Sequence, residues 1–177
     1  MSNIFFASDH HLHHSNIITF LKEDGTNLRQ FPNIDEHDEH IIKMHNSVVS
    51  TKDKTYFLGD TIFSHKYLYL LSRMNGEKVL IKGNHDKLKL SQYIPYFKDI
   101  RGSHQMDGII MSHIPVHPES LGRWPICIHG HTHYNSVRLP NKQKDERYFC
   151  VCLEHDNIDN YTPISLEEVK QQIKNRS

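Results

Sequence analysis

One local pattern recurs along this chain: a short apolar run that stops at a cluster of aspartate, histidine and asparagine. Ile4-Phe5-Phe6-Ala7 ends in Ser8-Asp9-His10-His11, Thr55-Tyr56-Phe57-Leu58 ends in Gly59-Asp60, and Lys78-Val79-Leu80-Ile81-Lys82 ends in Gly83-Asn84-His85-Asp86. Such runs, bounded by turn residues, suit strands buried on both faces. Between them lie stretches with helical spacing. Asn33 with Glu36 makes a capping box, Pro32 stands just outside it, and Ile34, Ile41, Ile42, Met44, Val48 and Val49 keep to one broad face. Tyr67, Leu68, Leu71 and Met74 mark a helix from about His65 to Met74, and a shorter helix is expected around Asn16 to Leu21. Glu23 to Asn27 reads as a turn around Gly25, and Lys87-Leu88-Lys89-Leu90 as the start of another helix. Strand alternating with helix is the pattern of stacked βαβ units.

The second half reads differently. Ile109-Ile110-Met111, Ile126-Cys127-Ile128, Ser136-Val137-Arg138-Leu139 and Tyr148-Phe149-Cys150-Val151 are expected as short strands with little helix between them. Pro140 to Glu146 is polar and lysine-bearing, a solvated hairpin tip. Ser165 with Glu168 makes another capping box, and Leu166, Val169 and Ile173 give a terminal helix its apolar stripe. With 177 residues and no internal repeat or linker, residues 1–177 are expected to form a single domain, α/β early and β-rich late.

Parallel strands bring their C-terminal ends to one edge of a sheet, where chemistry gathers in layered α/β folds. Two later strands also end in ligand-type clusters, Ser112-His113 and Gly130-His131-Thr132-His133. On an extended segment Asp9 and His11 face one point, as do His131 and His133. Gly83 is read as a sharp exit from its strand through its tolerance of positive φ. Taken alone, residues 83–86 are equally well a capped strand-to-helix turn; the four other clusters favour a site. Histidine is the compositional outlier, at 16 residues, and neutral imidazole is the commonest metal ligand. Carboxylate, imidazole and amide oxygen together suit Mn²⁺, Fe²⁺ or Zn²⁺. Asp9, Asp60, Asn84, His11, His113, His131 and His133 are too many for one tetrahedral site. They match two ions sharing a carboxylate, roughly 3.5–4 Å apart.

The ordered set Asp9-x-His11, Gly59-Asp60, Gly83-Asn84-His85-Asp86, His113 and Gly130-His131-x-His133 resembles the calcineurin-like metallophosphoesterases, over residues 9 to 133. The short, cap-free layout is similar to small bacterial and phage-encoded members. The resemblance implies an α/β fold, a four-layer α/β/β/α sandwich of two mixed sheets flanked by helices. It also implies two divalent metal ions, Mn²⁺ foremost, with Fe, Zn or Ni as alternatives. One would be held by Asp9, His11, Asp60 and His133, the other by Asp60, Asn84, His113 and His131, with Asp60 as the bridge. His85 would lie beside the substrate phosphate as charge stabiliser or general acid, and Asp86 would orient its ring. The chain departs from the pattern at one place. Many members carry a second Asp three residues after that of Gly-Asp, and here Phe63 stands there. Altered metal affinity, rather than its loss, is expected.

The implied reaction is hydrolysis of a phosphomonoester or phosphodiester, nucleotide-like or another small compound, by metal-activated water. His14, Arg29 and His117 are the candidate substrate contacts, Arg29 as a bidentate phosphate clamp, with Arg73 and Arg123 as further arginines of that kind. His37, His40, His45 and His129 are read as surface or packing residues. Two other readings compete. Scaffold relatives typically lose ligands or the His of the Asn-His pair, and here Asn84-His85 is intact. For a nuclease or RNA-end phosphodiesterase, a formal net charge of zero and no basic-aromatic patch disfavour long nucleic acids as partners. No basic leader segment or apolar span follows Met1, so no membrane partner is expected. Cys127, Cys150 and Cys152 are odd in number and lack metal spacing, so a cytoplasmic location with inert, buried thiols is expected.

Overall fold

The computed structural model describes residues 2–175; Met1, part of the leader reading, lies outside them. The early apolar runs form a first sheet. Strands β1 (Ile4–Ala7), β2 (Lys54–Phe57), β3 (Glu77–Ile81) and β4 (Asp99–Arg101) run parallel, and β9 (Ile164–Ser165) pairs antiparallel with β1, in the order β4-β3-β2-β1-β9. The second sheet is four-stranded. In it β6 (Ile109–Ser112), β7 (Ile126–His129) and β8 (Tyr148–Cys150) are parallel, and β5 (Ser103–Met106) is antiparallel to β6.

Strand periodicity sorts the side chains into layers. Phe6, Tyr56 and Val79 share one rung and face inward, with Leu58 and Ile81, onto Ile109, Met111, Ile128, Phe149 and Val151 of the second sheet. The next rung, Ala7, Phe57 and Leu80, faces outward. It is covered by Ile41 and Ile42 of helix α1 (Ile34–Val48) and by Leu68 and Leu71 of the 3-10 helix His65–Arg73. Phe6, Phe57 and Phe149 have no exposed surface, and each such burial stabilises by about 1.5–3 kcal/mol. Beyond the second sheet, Val116, Leu121 and Trp124 around the 3-10 turn Pro118–Ser120 pack on Ile110, Cys127 and Tyr148. Helix α3 (Leu166–Lys174) sends Val169 into the core between the sheets. Two mixed sheets flanked by helices are the expected architecture.

Both expected caps form. Asn33 Oδ1 accepts from Glu36 N at 2.9 Å, and Ser165 Oγ accepts from Glu168 N at 3.2 Å. Three readings need correction. Ser136–Leu139 forms no strand: one antiparallel bridge, Arg138 to Lys144, closes a polar hairpin with too few apolar side chains to anchor a sheet edge. The helices expected near 16–21 and 65–74 are the 3-10 segments Ser15–Ile18 and His65–Arg73. The helix expected from Lys87 is a single turn, α2 (Leu90–Tyr93). No described helix is long and apolar enough to cross a membrane.

Candidate metal centre

The strand ends meet where the two sheets join. Ser8, just past β1, donates its amide to Val151 O at 2.9 Å and accepts from Leu153 N at 3.3 Å, linking the first sheet to the run after β8. Asp9 N donates to Gly59 O and Gly130 N to His113 O, both at 3.0 Å, so the loops are stitched to one another. Asp9, His11, Asp60, His131 and His133 all have left-handed φ, between 50 and 67°. For non-glycine residues this costs roughly 1–3 kcal/mol each and persists only where the surroundings impose it. Asp9 and His11 thus converge by alternating left-handed residues, and not by the extended backbone expected. His10 between them turns into the core and stacks on Phe57 at 4.6 Å.

Close approach explains two of the glycines. A Cβ at Gly83 would lie 2.3 Å from Asp60 Oδ1, and one at Gly130 would lie 1.9 Å from Ser8 Oγ and 2.5 Å from Asp9 Oδ2. Gly83 is not among the positive-φ glycines, so the space it leaves, and not its φ, is what the loop needs.

The ligand-type side chains fall into two groups. In the first, Asp9 Oδ1 is 3.7 Å from His11 Nε2 and 3.8 Å from His133 Nε2. Asp9 Oδ2 accepts from Ser8 Oγ at 2.6 Å, His131 N at 2.8 Å and Cys152 Sγ at 3.2 Å. Its other oxygen, Oδ1, and His11 Nε2 are buried without a hydrogen-bond partner among the described residues. Orphaned polar atoms of this kind are costly and rare, and their facing one another fits a cation between them. In the second group His113 Nε2 lies 2.8 Å from Asn84 Oδ1 and 3.5 Å from Asp60 Oδ2, while its Nδ1 meets Leu58 O at 2.7 Å. The His131 ring packs on His113 at 5.1 Å. The ligand atoms of Asp9, Asp60 and His113 lie within 4.8 Å of one another, as do those of Asp9, His11 and His133. Asp9 therefore belongs to both groups, although the resemblance makes Asp60 the bridge.

The electrostatics follow from burial and charge. Burial holds the His11 imidazole down at about 4, neutral and with a lone pair to offer. Burial also opposes charge on His113, but the Asp60 hydrogen bond and the Asp9 and Asp60 charges push it up to about 9. For Glu154 burial is again opposed, by Arg29 and His133, which bring it down to about 2.

The expected substrate residues fare unequally. His85 is exposed at the rim, its amide donating to Asp60 Oδ1 at 2.9 Å and its ring 5.3 Å from Phe63. His14 is beside the ligands, its Nδ1 3.0 Å from His11 Nδ1. Asp86 does not support the His85 ring: its carboxylate accepts from the amides of Asp60, Thr61 and Gly83 at 2.9–3.0 Å, tying two ligand loops together. Arg29 cannot clamp a phosphate, because it is fully buried with its guanidinium engaged by protein groups. His117 is exposed and caps the Pro118–Ser120 turn, with no described contact to the ligand set. Arg73 forms a bidentate pair with Glu39, and Arg123 lies over Trp124. Phe63 packs between the rings of His11, His14 and His85, an apolar post where a carboxylate is usual.

One residue of the site escaped the sequence reading. Glu154 Oε1 accepts from His133 Nδ1, and Oε2 pairs with Arg29 Nη2 at 2.6 Å. The signal was available: Glu154-His155-Asp156 follows the apolar run of β8 as the other clusters follow theirs.

Comparison with known proteins agrees with this picture. The profile of the family described as calcineurin-like phosphoesterase matches residues 2–167. The uncharacterized protein MJ1445 of Methanocaldococcus jannaschii is 32% identical over 179 residues, covering 98% of this chain and 93% of that protein. Among solved structures, the protein of unknown function AQ665 from Aquifex aeolicus aligns with a TM-score of 0.73 at 27% identity, over 97% of this chain and 100% of that one. A novel archaeal phosphodiesterase aligns with a TM-score of 0.48 at 19% identity, over 86% of this chain and 84% of that one. A family match over nearly the whole chain, on a fold that gathers Asp and His clusters at its strand ends, shows that this protein belongs to the calcineurin-like phosphoesterases.

Proposed function

We propose that the chain is a dinuclear metal-dependent phosphoesterase acting on a small phosphorylated compound, a mono- or diester, within one domain and in the cytoplasm. The observation that carries this is the pair of buried, unpartnered ligand atoms, Asp9 Oδ1 and His11 Nε2, facing each other beside His133 and a second Asp–His group. Asp9, His11, Asp60 and His133 would hold one divalent ion, and Asp60, Asn84, His113 and His131 the other. Carboxylate, imidazole and amide donors favour Mn²⁺, with Fe, Zn or Ni as alternatives. When bound, such a pair supplies Lewis acidity to a water and to the phosphoryl oxygens.

The remaining work falls to side chains. His85 stands at the open rim of the ligand cluster, anchored through its amide to Asp60. There it would stabilise charge on the phosphate or protonate the leaving oxygen, the general-acid role being typically worth about 10²–10⁴-fold. Asp86 fixes the distance between the Asp60 and Asn84 loops. Cys152 is buried and hydrogen-bonded to Asp9, and no thiol or hydroxyl nucleophile is required. Zero formal net charge favours a small substrate over a long polymer.

A panel of mono- and diesters, assayed with Mn²⁺, with chelator and with Asn84→Ala, tests the proposal. Turnover by the wild type with Mn²⁺, abolished by chelator and strongly reduced in the variant, is the expected result. A wild type that cleaves no ester with any metal would favour the scaffold reading instead.

A further inference from the structure

We infer that Arg29 and Glu154 are positioning residues: a buried ion pair that braces the Asp9/His11/His133 metal position and leaves the neighbouring one untouched. The inference rests on the reading that the site binds metal.

Arg29 lies in the segment before α1 and has no exposed surface. Its Nη1 donates to His10 O at 2.9 Å and to His37 Nε2 at 2.8 Å; its Nη2 donates to Asp9 O and, at 2.6 Å, to Glu154 Oε2. One planar fork thus grips two consecutive carbonyls, 9 and 10, which flank His10 between the left-handed residues Asp9 and His11. Glu154 in turn accepts from His133 Nδ1, which fixes that ring's tautomer and leaves the Nε2 lone pair facing Asp9. The network continues outward. His37 Nδ1 meets Asp38 Oδ1 at 2.9 Å, and the Asp38 carboxylate accepts the amide of His13, just beyond His11.

Burying an ion pair is a poor way to stabilise a fold, since well-packed apolar residues of similar volume often do as well or better. Here both free ends of the pair terminate on metal-ligand segments, which gives it a different use. The other position is supported without it: His113 leans on the Leu58 carbonyl, and Asp60 and Asn84 sit on loops tied by Asp86. Removing the partner that orients a ligating histidine typically weakens metal binding about 10–100-fold.

The test is calorimetric titration of metal-free full-length chain with Mn²⁺ for the wild type, Glu154→Gln and the double variant Arg29→Met/Glu154→Met, with a thermal melt of each. Glu154→Gln leaves Arg29 buried without its counter-charge and is expected to melt early. The double variant removes both charges and is expected to melt near the wild type. The inference predicts two bound ions in the wild type. In the double variant one ion should weaken about 10–100-fold while the other keeps its affinity. A folded double variant that binds both ions as the wild type does would overturn it, as would equal weakening of both ions. A wild type that binds no ion would overturn the metal reading itself, a result distinguishable from either.

Discussion

Around His113 the support is backbone: a Leu58 carbonyl behind the ring, and three amides gathered by Asp86 to hold the Asp60 and Asn84 loops. Around His133 the support is a buried ion pair whose members are 125 residues apart, Arg29 and Glu154. The first half is assembled from strand-end motifs whose own residues brace one another. The second borrows a cation from before α1 and an anion from beyond β8. Asp9 stands between, with a ligand atom close to those of both groups. Local motif can therefore specify one proposed metal position almost alone, whereas the other depends on the chain closing around it.

Four substitutions or titrations test this contrast. The largest effect is expected at the rim they share. His85→Ala should lower kcat by about 10²–10⁴-fold while Mn²⁺ titration still shows two ions, separating turnover from metal holding. Gly130→Ala comes next, since its Cβ would lie 1.9 Å from Ser8 Oγ and 2.5 Å from Asp9 Oδ2. A loss of about 3 kcal/mol in chemical denaturation is expected. The added Cβ would displace Asp9 and the adjoining His131, which serve different ion positions, so both ions should weaken together; a loss confined to one would contradict this.

A pH effect should arise behind the braced half. His45 is buried, lies tilted against the Phe57 ring at 5.7 Å and meets Asn75 O at 3.0 Å, and burial holds it down at about 4. Its folded pKa lies below its unfolded value of about 6.5, so its contribution is complete above pH 6.5 and is lost as pH falls toward 4. By pH 5 about 2 kcal/mol should be gone, and His45→Gln should flatten that part of the stability curve. An unchanged slope would refute the assignment. The smallest effect is expected from Phe63→Ala. It removes the apolar post against His11, His14 and His85, and Mn²⁺ affinity in the Asp9/His11/His133 position should drop by about tenfold.

How much of this was legible in the sequence follows from the same contrast. The runs that became β1, β2, β3, β6, β7 and β8 were readable because each is apolar, short and closed by a polar cluster. The caps at Asn33 and Ser165 were readable because their partners lie three residues away. Strands β4, β5 and β9 were not, being two to four residues long and largely polar or edge-placed. Arg29 read as a surface clamp because nothing near it in sequence shows that Glu154, His37 and two carbonyls enclose it. Asp86 read as the partner of its neighbour His85, but its three amide donors come mostly from the loop after β2. Asp9 and His11 converge, as their spacing predicts, but through left-handed turns and not an extended strand.

We propose that this protein holds a pair of metal ions between those unlike halves. Anomalous scattering from crystals of the Mn²⁺-loaded protein tests it most directly. Two peaks roughly 3.5–4 Å apart are predicted, one beside Asp9, His11 and His133 and one beside Asp60, Asn84, His113 and His131. A single peak, or peaks away from these side chains, would contradict it.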